Sequence, residues 1–147
     1  MKFCRINLSN TNYTELDSAT FLSQFDRDKM FQDLVFIYEA YCRHKRFESV
    51  MPLFRSTVFD KNTDVIVYWH NRTPVAFSLI KKYDFKNAES LQFAWDYANP
   101  ELRLGIASIE HECAHYKNQG FDYLYLGQVH EYKKDFAGYE ELGNPYV

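Results

Sequence analysis

Apolar and polar positions along the 147-residue chain change their period more than once. Phe3 to Leu8 (FCRINL) alternates as a short strand does, and the polar stretch SNTNYTELDS follows. Beyond it Phe31, Leu34, Val35, Tyr38, Tyr41 and Cys42 recur at helical spacing. Asp26 and Asp28 are the expected caps of that helix, and Arg43-His44-Lys45-Arg46 its end, where cations suit the helix dipole. Phe47 to Phe59 predicts a second, shorter helix, interrupted near Pro52. After Asp60-Lys61-Asn62 the period falls to two: DVIVYWH, PVAFSLIKKY and SLQFAWDY are β-rich runs parted by NRT and DFKNAE, the pattern of an antiparallel meander. Then come NPELRLG, the helical stretch IASIEHECAHYKNQG and the strand Tyr123 to Leu126 (YLYL). Strand, helix and strand in that order predict a right-handed parallel crossover. The tail EYKKDFAGYEELGNPYV is expected to begin as a short helix and to close on a sheet edge.

These elements make an α+β chain, and 46% hydrophobic residues at this length predict one domain spanning 1–147. A net charge of −3 lacks the basic face that gripping phosphates requires, so DNA is not an expected partner and tRNA is disfavoured. Cys4, Cys42 and Cys113 are odd in number and widely spaced, which indicates neither a disulfide framework nor a cysteine metal site. No apolar run is long enough for a signal peptide or a membrane span, so a soluble, cytoplasmic protein is expected, with oligomeric state open.

Residues 111 to 115 read HECAH, the H-E-x-x-H pattern in which two histidines one turn apart can hold zinc while the glutamate serves as base. At 100° per residue, Ile106, Ile109, Cys113 and Tyr116 share one stripe, and His111 and His115 project nearly opposite to it. That placement predicts a solvated face and no metal. The extended pattern is also broken, with Asn118 and Phe121 where glycine and a third histidine would stand. A zinc hydrolase built on His111, Glu112 and His115 remains the weaker alternative, with His44, His70, His130, Glu131, Glu140 or Glu141 as the third ligand.

The entry to this helix, NPELRLGIAS from Asn99 to Ser108, brings a glycine to a point where free backbone amides and the positive end of the helix dipole favour an anion. From Asp64 to Leu142 the order of elements resembles the Gcn5-related N-acetyltransferase (GNAT) fold, whose loop motif is Q/R-x-x-G-x-G/A. Gly105-Ile106-Ala107 matches its G-x-A part, while the first position falls on Leu102 with Arg103 one place late. Locally PVAFSLIKKYD, FAWDYANPELRLGIASIEHE, DYLYLG and YKKDFAGYEEL are similar to the C-terminal GNAT-like half of arginyl-tRNA-protein transferases, without the N-terminal cysteine cluster of that family.

The resemblance implies a mixed, mostly antiparallel twisted sheet with a βαβ crossover at the ligand-binding helix. It implies an N-acyltransferase moving an acyl group from acetyl-CoA or another acyl-CoA to a small-molecule or peptide amine. The donor would lie on Arg103, Leu104, Gly105, Ile106, Ala107 and Ser108, with Asp96 as base, Tyr132 as acid and His130 as an alternative acid or base. An aminoacyl-tRNA-dependent transferase and a non-catalytic GNAT-like binding module are the other readings that this kinship leaves open.

Overall fold

The computed structural model describes residues 2–47 and 52–143. Strands β1 (Phe3–Asn7) and β2 (Ala19–Phe21) precede helix α1 (Gln24–Lys45) and a single turn α2 (Arg55–Val58). The meander follows as β3 (Thr63–His70), β4 (Thr73–Lys82) and β5 (Asn87–Trp95), then helix α3 (Leu104–Asn118), β6 (Tyr123–Gln128) and β7 (Tyr139–Leu142). All seven strands form one sheet in the order β2-β3-β4-β5-β6-β1-β7. β5 and β6, which α3 joins, run parallel, and the other neighbours are antiparallel.

The predicted order of elements is found, with three local differences. The cap of α1 is Ser23, whose Oγ accepts from the Asp26 amide at 3.1 Å; Asp26 lies inside the first turn and Asp28 pairs with Arg55. β2 falls at the end of the polar stretch that carried no strand pattern, because it is short and holds one edge of the sheet. Of the predicted second helix only Arg55–Val58 is helical among the described residues, and 48–51 lie outside them. The tail begins as a 3₁₀ turn, Glu131–Asp135, and closes the other edge through β7.

Both faces of the sheet are covered, so the inner strands are buried almost end to end instead of alternating. Val65, Val67, Phe77, Leu79 and Ala94 pack with Phe31, Leu34 and Ile37 of α1. On the opposite face Ile66, Tyr68, Ala76 and Ile80 pack with Ile109, Cys113 and Tyr116 of α3. The β3–β4 turn places Asn71 and Arg72 at φ of 49° and 65°, the left-handed pair that a two-residue hairpin needs.

Two irregularities interrupt the pairing of β5 with its neighbours. Leu79 pairs with Gln92 and Ile80 with Ser90, so Leu91 bulges out of β5. β5 and β6 pair only over Asn87–Glu89 and Tyr123–Tyr125, and beyond that point the strands part.

Candidate functional site

Where β5 and β6 part, a cleft of about 260 Å³ passes into the sheet. Ser90 to Phe93 line it from β5, Leu126 from β6, Tyr41 from α1, and Gly105, Ser108, Ile109 and Glu112 from α3. His130, Tyr132 and Lys133 close it from the segment after β6. Lys133 braces the end of β6: its Nζ donates to the Leu126 carbonyl at 2.8 Å and to that of Gln128 at 2.9 Å. Lys133 is buried, and burial lowers its pKa.

His111 and His115 lie together on one side of α3, with rings near parallel and 6.4 Å apart, but that side is covered, which corrects the expectation of a solvated face. The segment 8–16, anchored by the buried side chains of Leu8 and Thr11, lies across the outer side of α3. The Leu16 amide donates to His111 Nδ1 at 2.8 Å, Glu15 meets His115 Nδ1 at 3.0 Å, and Lys117 donates to the Thr11 carbonyl. His111 is therefore buried, and burial lowers its pKa. The bond from Leu16 leaves its proton on Nε2, which has no hydrogen-bond partner among the described residues. A single-stripe reading fails here because α3 has a second covering layer, supplied by chain ninety-odd residues earlier. Among the described residues no three His, Cys, Asp or Glu side chains come together in a metal-binding group.

Glu112 faces the sheet. Its carboxylate is fully buried, and Oε2 accepts from the Tyr68 hydroxyl at 2.6 Å and the Ser78 hydroxyl at 2.7 Å. Burial raises its pKa to about 7, although both hydroxyls pull the other way. Both bonds fall on Oε2, and Glu112 is among the residues that line the cleft. This residue and Lys133 were missed as cleft groups by sequence reasoning. For Glu112 the signal is present: Ile109, Glu112, Cys113 and Tyr116 are spaced i, i+3, i+4, i+7, so an acid stands inside the apolar stripe.

At the start of α3, Arg103 adopts the left-handed region at φ 48°. Its carbonyl accepts from the amides of both Ile106 and Ala107, at 3.1 and 3.0 Å, and its own amide donates to Pro100. Of the six predicted donor-binding residues, Leu104 and Gly105 are those whose amides fall at the open end of the helix. Gly105 lines the cleft, and a Cβ built there meets no atom within 4 Å. Ser108 also lines it, with its carbonyl 3.3 Å from the Tyr68 hydroxyl oxygen. The Arg103 side chain is exposed.

The predicted acid and base residues divide. Tyr132 and His130 both line the cleft, with rings near parallel and 6.3 Å apart. Asp96 follows β5, and its Oδ1 accepts from the Ala98 amide at 2.9 Å, so it caps a turn of its own loop.

A parallel pair that splays over a helix N-terminus, in a sheet covered on both faces, defines the class of fold. No protein-family model matches the chain, and no curated protein matches it in sequence. Among solved structures it is similar to the C-terminal domain of a putative lysylphosphatidylglycerol synthetase from Agrobacterium fabrum: 13% identity, TM-score 0.68, 87% of this chain and 46% of that one. It is also similar to N-myristoyltransferase of Saccharomyces cerevisiae, solved with myristoyl-CoA, at 13% identity and TM-score 0.59, over 95% and 46% of the two chains. A putative acetyltransferase of the GNAT family from Novosphingobium aromaticivorans shares 13% identity at TM-score 0.57, over 95% and 58%. The chain thus spans about half the length of these proteins. The fold is GNAT-like α+β.

Proposed function

We propose that this domain is an N-acyltransferase that takes an acyl group from acyl-CoA, with acetyl-CoA the simplest donor, and places it on an amine. The observation that carries this reading is the cleft between β5 and β6, which has helix N-terminal amides at its rim and a buried carboxyl in its wall. The amides of Leu104 and Gly105, with the positive end of α3, suit the donor's pyrophosphate. A thioester held in the cleft would be attacked by a neutral amine: a C–N bond forms, the C–S bond breaks, the amine loses one proton and the thiolate gains one.

Glu112 is the group best placed to take the amine's proton, since a carboxylate with a pKa near neutrality is a stronger base than an ordinary one. Asp96 was the expected base, but its turn-capping bond gives it other work. Tyr132, with His130 beside it, is the candidate donor of a proton to the thiolate.

The test is a calorimetric titration with acetyl-CoA, on the native chain and on Gly105→Trp, whose indole would fill the open space at that position. The expected result is stoichiometric binding that the substitution abolishes. At a hundred times the dissociation constant, binding to the folded state alone adds about 2.7 kcal/mol of stability, which a melting scan reads independently. No heat and no melting shift would remove acyl-CoA as donor. The aminoacyl-tRNA-dependent transferase that the sequence resemblance leaves open then becomes the second reading.

A further inference from the structure

The second histidine of HECAH, His115, lines a different cleft, at the far end of α3 and about 20 Å from the helix start by its rise per residue. This cleft is larger, about 600 Å³. One wall is a chain of touching rings: Phe21 on His115 at 4.2 Å, His115 edge-on to Tyr116 at 4.9 Å, and Tyr116 edge-on to Phe121 at 5.3 Å. The facing wall is the β4–β5 turn, which carries Tyr83 and Phe85.

That turn is rigidly held. Asp84 Oδ1 accepts the amides of Lys86 and Asn87 at 2.7 Å each, and the Lys86 carbonyl accepts those of Asp122 and Tyr123. It nevertheless leaves Phe85 89% exposed and Tyr83 57% exposed, so an ordered turn presents two rings with little apolar burial. At the floor is Asp64, with the Tyr116 hydroxyl on one oxygen at 2.7 Å and the Lys82 ammonium on the other at 3.1 Å.

The lining itself points to the occupant. Asp64 and Asp84 line the cleft against Lys82, while around it Glu15 stands behind His115 and Lys86 Nζ lies 3.4 Å from the Gly120 carbonyl at the end of α3. The rings attract cations, as Tyr83 already shows with the Lys81 ammonium 5.4 Å from its centre. We propose that this second cleft binds a small organic cation, an alkylammonium group that takes the place of Lys82 against Asp64 and lies between the ring wall and Phe85. This inference stands apart from the acyltransferase reading, since it uses none of the residues of the β5–β6 cleft.

The experiment is an NMR titration of the isotope-labelled chain at constant ionic strength with choline, with its uncharged carbon isostere 3,3-dimethylbutan-1-ol, and with acetate. Choline is expected to shift the resonances of Phe21, Tyr83 to Phe85 and His115 to Phe121, with the isostere several-fold weaker and acetate without effect. Phe85→Ala, at an exposed position where the fold is indifferent, should weaken choline by about two- to fivefold. Lys82→Gln carries the sign: it frees Asp64 from its internal partner and should tighten choline binding. Equal affinity for the isostere, binding of acetate, weaker choline binding in Lys82→Gln, shifts at other residues or no shifts at all would each overturn the proposal. Acetyl-CoA binding by the same samples reports on the other cleft separately.

Discussion

Glu112 carries a proton linkage that stability measurements can read without a substrate. Its folded-state pKa of about 7 lies above the ordinary value of 4.5, so between those values the folded chain holds a proton that the unfolded chain has lost. The stabilisation is therefore fully present below about pH 4.5 and is lost as pH rises through about 7, a change of at most about 3 kcal/mol. His111 works in the opposite sense. Burial holds its pKa below 6.5, so the unfolded chain binds the extra proton and stability falls as pH drops beneath that value. Comparing Glu112→Gln with the native chain cancels the His111 contribution, because both proteins keep it. The expected outcome of urea unfolding is that Glu112→Gln gains stability relative to native between about pH 5 and about pH 8. A difference that stays flat across that range would show that Glu112 does not titrate there, and would remove its claim to act as a base near neutrality.

At the scale of elements, Gly138 decides whether the 3₁₀ turn and β7 can close on β1. It sits at φ +76°, and a Cβ there would collide with the Asn7 backbone, whose amide donates to the Gly138 carbonyl at 2.7 Å. Gly138→Ala should cost at least the 1–3 kcal/mol, roughly, of a strained backbone, seen as a lower urea midpoint. A midpoint unchanged from native would mean that β7 contributes little to the fold. The cap of α1 gives a smaller and separate effect: Ser23→Ala should cost about 1 kcal/mol, while Asp28→Ala, which removes an exposed ion pair, should cost well under that. Elements of this kind differ in how legibly the sequence announces them. The meander and α3 were readable because period-two and period-3.6 patterns each persisted over many residues. β2 was not, since three residues at an edge carry no period. The outward burial of His111 was not either, because it depends on the segment 8–16 folding back from the far end of the chain. The helix start near Gly105 was legible, whereas which of its amides stay free depends on the left-handed Arg103, which no spacing rule reveals.

The whole molecule reconciles two demands that usually conflict, a sheet buried on both faces and an opening through that sheet. The opening exists because β5 and β6 share only three paired positions, and α1 and α3 border it from opposite faces, through Tyr41 and through Ser108, Ile109 and Glu112. Covering both faces also buries Glu112 between α3 and the sheet, and this burial raises its pKa. A donor seated there should complete the interrupted ladder by pairing with β5 backbone groups that β6 has left. Hydrogen exchange then gives a map with a defined shape. With acetyl-CoA bound, protection should rise over Ser90–Trp95, Leu126–Gln128 and the first turn of α3, and remain unchanged at Tyr83–Asn87 and at the α3 C-terminus. Protection confined to the α3 C-terminus would instead place the nucleotide in the aromatic cleft. That result would separate the splayed sheet from the donor, because Glu112 lines the other cleft.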